Sequence, residues 1–180
     1  MGIDNTVLVV VDVQGNLAML MHDQQFLFAN IERMIKMAKI LEIPILWTEQ
    51  APEKIGVTVE PIAKLLAPAL KPISKRSFSC YGSPEFRQAL AASGRRNVLL
   101  VGIETHICLY QTARDLYRHG YDVHVVRDAV SSRTQSNKDI AIERMRDHGI
   151  TITSAEMTMC ELLVTADHPK FRDVIANIKR

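Results

Sequence analysis

Three side chains of complementary chemistry stand at the ends of apolar runs in this sequence. Asp12 closes VVVD, Lys75 closes PISK, and Cys108 lies five residues beyond VLLVGI. A carboxylate, an ammonium group and a thiol together suit acyl transfer. The carboxylate takes the thiol proton, the ammonium holds the anionic partners, and sulfur attacks a carbonyl carbon. The oxyanion formed on that carbon needs donors, and the backbone amides of the turn at Glu104–Cys108 are placed to supply them. Singly, each residue has a plainer reading. Asp12 can cap a loop, Lys75 can be a solvated strand end, and Cys108 can be a small core hydrophobe. An acid in so apolar a run is costly unless it is paired. A thiol in the first turn of a helix is stabilised as thiolate by the helix amides and by a nearby ammonium. The spacing therefore predicts a Cys108 pulled toward nucleophilicity at neutral pH.

Other chemistry finds less support. Cys80 and Cys160 fall in a loop and on a helical face and read as structural thiols. The six histidines are dispersed without an HxxxH or HxH pair, so no metal site is expected, and His106 reads as a turn or interface residue. Neither GxGxxG nor GxxxxGK[ST] occurs, and no cofactor is expected. A net charge of +2 with scattered basic residues gives no reason to expect nucleic acid or a membrane surface as partner. No apolar run reaches the length of a membrane span. An odd count of three cysteines without metal-like spacing fits free thiols in a reducing compartment, and a cytoplasmic location is the expectation.

The elements that must position these groups alternate short β-branched runs with helical patterns. At 180 residues, 47% hydrophobic and 23% charged, the chain reads as one soluble domain over 1–180. Strands are expected at 6–13, 44–50, 70–75, 97–103, 121–129 and 150–156. Helices are expected at 28–43, 61–66, 83–94, 107–119 and 137–149, and in the tail as two pieces broken at Pro169. The Pro- and Gly-containing stretch 51–61 reads as loop. The fold class is therefore α/β: a Rossmann-like three-layer sandwich with a six-stranded parallel sheet flanked by helices. Ligands of such sheets bind beyond the carboxyl ends of the strands, where Asp12, Lys75 and Cys108 all lie.

VVVDVQGN, ISKRSF, GIETHICLYQTARDL and GYDVHVVRDAVSSR together resemble the isochorismatase-like cysteine hydrolases, over essentially the whole chain. WTEQAPEKIGVT, DAVSSR, SAEM and DHPKF are similar to the branch of isochorismatase domain-containing proteins, which lacks a settled substrate. The resemblance implies an Asp–Lys–Cys triad at Asp12, Lys75 and Cys108. It implies a non-proline cis peptide at Ile103–Glu104 that aims the Glu104 and Cys108 amides at the oxyanion, and a homo-oligomer, dimeric or larger. Departures narrow it. Nicotinamidases of the family carry metal-binding histidines after the second strand, and WTEQAPEKIG has none. Isochorismatases that cleave a vinyl ether generally lack the cysteine.

The expected activity is hydrolysis of a small amide or related C–N bond through a cysteine thioester. Isochorismatase-type ether hydrolysis, or a binding or scaffold role without turnover, are the alternatives. Gln14, Trp47, Gln50, Phe78 and Tyr110 flank the triad in sequence and are expected to line the pocket for a small-molecule substrate. Trp47 and Phe78 could equally be core aromatics. Arg133 could anchor an anionic substrate or an interface carboxylate.

Overall fold

The computed structural model describes residues 1–67 and 69–177. Its strands are β1 (Thr6–Val11), β2 (Ile45–Gln50), β3 (Ile73–Lys75), β4 (Asn97–Ile103), β5 (Asp122–Ser131) and β6 (Thr151–Thr153). Its helices are α1 (Gly15–Met19), α2 (Gln24–Ile40), α3 (Pro52–Ile55), α4 (Glu60–Leu66), α5 (Pro84–Ser93), α6 (Tyr110–Arg118), α7 (Gln135–Asp147), α8 (Ala155–Leu163) and α9 (Phe171–Ile175). A π-helical turn, Thr105–Leu109, joins β4 to α6.

All six strands are parallel, in the order β3-β2-β1-β4-β5-β6. The chain builds outward from β1 to β3 and then returns to lay β4 beside β1. That reversal opens a crevice past the carboxyl ends of β1 and β4. Alternation along β1 sends Leu8 and Val10 to one face, against α2, α4, α8 and α9. Val7, Val9 and Val11 go to the other, against α5, α6 and α7. Both faces are covered, so the strand has no polar side and reads as a continuous apolar run.

Local signals fix several ends. Ser83 caps α5 by accepting from the Phe86 amide, Pro84 occupies its first position, and Gly94 closes it in the left-handed conformation. Gly102 has a φ of 120°, and a Cβ there would run into the Val11 carbonyl oxygen. Only glycine lets β4 pass β1 this closely at the crevice.

Several boundaries differ from expectation. β3 and β6 have three residues each, because an edge strand is held by pairing on one side only. β5 runs on to Ser131, since past an irregularity at Leu100 its end pairs again with Gly102 and Ile103. α2 begins at Gln24, four residues early, and ends at Ile40. α3 forms where loop was expected, α1 forms where no element was assigned, and the end of the expected tail helix, 178–180, lies outside the described residues.

Candidate active site

Asp12 follows the last residue of β1 with a φ of 50°, in the left-handed region that Asp tolerates better than most residues. This turn takes the chain out of the sheet and leaves the buried carboxylate at the crevice. Lys75 ends β3 on the same face as Ile73, because strand side chains alternate and Ser74 takes the solvent side. Its register partner on β2 is Gln50. The Lys75 Nζ lies 2.7 Å from Asp12 Oδ2 and 2.7 Å from Gln50 Oε1. It also donates to the Phe78 carbonyl at 3.0 Å and the Ser77 carbonyl at 3.2 Å. The second oxygen of Asp12 accepts from Thr48 Oγ1 at 2.8 Å. A buried ion pair is tolerated only when its remaining donors and acceptors are satisfied in this way.

Cys108 sits in the π-helical turn after β4, and the sheet order brings that turn beside Asp12. Its thiol is buried and shares the cavity wall with the Asp12 carboxylate. Burial pushes the thiol above its ordinary pKa, the nearby Asp12 carboxylate pushes it further, and Lys75 offsets only part of this. The expectation of a depressed Cys108 pKa is therefore reversed. Proximity to a carboxylate and loss of water outweigh the helix terminus. Burial alone would lower Lys75, but Cys80 and Cys108 once ionised, together with the Asp12 carboxylate, hold it above the usual lysine value. The resting arrangement is thiol, carboxylate and ammonium.

The peptide bond Ile103–Glu104 is cis. The Glu104 carbonyl accepts from the amides of Ile107 and Leu109, at 3.1 and 3.3 Å. The buried Glu104 carboxylate accepts from the backbone amide of Arg133 at 3.1 Å and from its Nε at 3.2 Å. Arg133 thus has its carboxylate within the chain. His106 Nδ1 lies 2.9 Å from Ser132 Oγ.

A cavity of about 90 Å³ reaches this set, with Asp12, Gln50, Glu104 and Cys108 at its walls. Leu17, Ile55, Phe78, Ile103 and Ile107 make most of its accessible surface apolar. Gln14 also lines it and fixes one wall: its Nε2 donates to the carbonyls of Gln50 and Gly56, and its Oε1 accepts from the Gln50 amide. Two expected pocket residues are elsewhere. Trp47 is buried in the core on the α2 face, its indole donating to Thr58 Oγ1, because alternation along β2 turns it away from Thr48 and Gln50. Tyr110, two residues past Cys108, is carried by helical rotation toward α7, where Arg144 lies over its ring and His148 near its hydroxyl.

One residue beside the triad, Thr48, went unread in the sequence, and its neighbour Cys80 was read as a structural thiol. Thr48 looked like one more β-branched strand residue, yet it shares a face with Gln50, and that spacing of two was the available signal. Cys80, fully buried, lies 3.6 Å from Thr48 Oγ1 and its thiol is pushed up to about 11, chiefly by burial. Nothing in its loop sequence marks it. Among the described residues no group of three or more His, Cys, Asp or Glu is arranged to hold a metal, and no helix is long and apolar enough to cross a membrane.

Comparison with known proteins supplies the family. The isochorismatase domain profile matches residues 6–157. A secreted isochorismatase effector of Phytophthora sojae is 40% identical over 179 residues, covering 97% of this chain and 85% of the relative. Isochorismatase domain-containing protein 2 of Xenopus laevis is 45% identical over 143 residues, covering 79% and 68%. The structure of the MAR1 ribonuclease of Caenorhabditis elegans superposes with a TM-score of 0.94 at 36% identity, covering 100% of this chain and 92% of that one.

Proposed function

This chain belongs to the isochorismatase family of hydrolases, and on that footing we propose that it cleaves a small amide or related C–N bond through a Cys108 thioester. The observation that carries the reading is the Asp12 carboxylate, on one cavity wall with Cys108 and bonded at 2.7 Å to the Lys75 ammonium. In this reading Asp12 removes the thiol proton as Cys108 Sγ bonds to the carbonyl carbon. Lys75 keeps Asp12 oriented and balances the charge moving between sulfur and carboxylate. The amides of Ile107 and Leu109 are bonded to the Glu104 carbonyl, and the family resemblance assigns oxyanion stabilisation to those of Glu104 and Cys108. As the C–N bond breaks, the proton on Asp12 passes to the departing nitrogen. Water then opens the thioester, Asp12 taking its proton and returning it to sulfur.

The test is a screen of small amides for ammonia release, paired with intact-mass detection of an acyl adduct. An adduct on the wild type, absent from Cys108→Ala, is the expected result. Turnover undiminished in Cys108→Ala would replace this reading with ether-type hydrolysis on Asp12 and Lys75 alone. The worm relative's name raises phosphodiester cleavage. The small apolar cavity favours an acyl substrate, and RNA incubated with the protein is expected to stay intact. Exposed apolar side chains at Met19, Leu20 and Val57, beside the segments that line the cavity, support a homo-oligomer. Light scattering should give a mass above that of one chain.

A further inference from the structure

Resting on the thioester reading, we propose that this site selects short, uncharged acyl groups and rejects carboxylate-bearing ones, with Leu17, Ile55 and Phe78 limiting their length. The charged side chains at the cavity wall are Asp12 and Glu104, both acids, and no lysine or arginine among the described residues lines it. Lys75 is not available to a ligand: its three protons face four protein acceptors within 3.2 Å. Arg133 is turned onto Glu104. An entering carboxylate would lose its hydration, meet two acids and find no cation to compensate it.

The rest of the wall welcomes hydrocarbon, and at about 90 Å³ it is far smaller than the roughly 300–1,000 Å³ of sites for drug-sized ligands. The limit is built in. A side chain at Gly15 would strike the Ile55 carbonyl, so α1 and α3 meet in backbone contact, and Gln14 ties the Gly56 carbonyl to the same wall at 2.6 Å. Phe78, 54% exposed, stands at the mouth.

Charge selection can be read without any hydrolysis by alkylating the full-length protein with iodoacetamide or iodoacetate, which differ in charge and little in size. Exposed Cys160 supplies the internal reference. The preference for iodoacetamide at Cys108, divided by that at Cys160, should be at least about tenfold. Ile55→Lys, which brings a cation to the wall, should lower it by at least about fivefold. Propionamide and butyramide are then compared with succinamate for ammonia release, and Phe78→Ala should admit hexanamide. A neutral preference with amide turnover supports both readings. The same preference with no amide turned over keeps the selection of uncharged ligands and removes the thioester hydrolase. Equal preferences at the two cysteines, or a Cys108 in folded protein that neither reagent reaches, overturns the selection whatever the amides do.

Discussion

The groove along α2 and the cavity at the β1–β4 crevice are opposites. The groove measures about 540 Å³ and is lined by Gln24, Gln25, Glu32, Arg33 and Lys36 among others. The crevice cavity measures about 90 Å³. In the groove, ions of both signs lie along one solvated helix face, and Lys36 pairs with Glu32 at 3.3 Å. In the cavity, a carboxylate, an ammonium and a thiol from three different strand ends are packed out of water. Space alone does not make a site. Unlike groups brought together from distant parts of the chain, at the cost of burying them, are the better mark of one.

That contrast can be broken first at the nucleophile. Cys108→Ala should lower amide turnover by at least about a thousandfold while the folded spectrum is kept, whereas Lys36→Met in the groove should leave the rate unchanged. Denaturant unfolding offers the next comparison. Lys75→Met leaves the buried Asp12 charge unpaired and should cost about 3–5 kcal/mol, while Lys36→Met should cost no more than about 0.5 kcal/mol. The third concerns pH. The Cys108 pKa is raised, so thiol predominates through neutrality and thiolate grows only as pH climbs. Its iodoacetamide labelling should rise about tenfold per pH unit up to pH 9, without a plateau. A plateau near pH 7 would show a depressed thiol and reverse the electrostatics described for the site. The smallest effect is expected at Arg133→Ala. Its side chain is 54% exposed and its backbone amide still holds Glu104, so kcat/KM should fall only about two- to fivefold.

Strand ends were the part of this molecule that one-dimensional reading reached best. A run such as TVLVVV can be satisfied only with both faces covered, so Asp12 at its end had to meet something polar. The same logic placed Lys75 and Cys108, and the sheet order supplied their meeting. Side-chain direction was harder to read. Trp47 is near Gln50 in sequence and Tyr110 is near Cys108, but the two-residue alternation of a strand and the rotation of a helix send both away from the cavity. Short elements were harder still. GNLAM and PEKI are too brief to show a period, although they carry Leu17 and Ile55 to the wall. The Cys108 pKa could not be read locally, because its direction is set first by burial in the folded chain and then by a carboxylate almost a hundred residues away in sequence.

The four acceptors around Lys75 also bear on spectroscopy. Lysine ammonium protons on a surface trade with bulk water too quickly to be followed. Those of Lys75, buried and each with a protein acceptor in reach, should exchange slowly enough to give a nitrogen-15-coupled signal of their own at low temperature. The site would then contain its own reporter, reading the electrical state of Asp12 and Cys108 through a nucleus that takes no part in bond making.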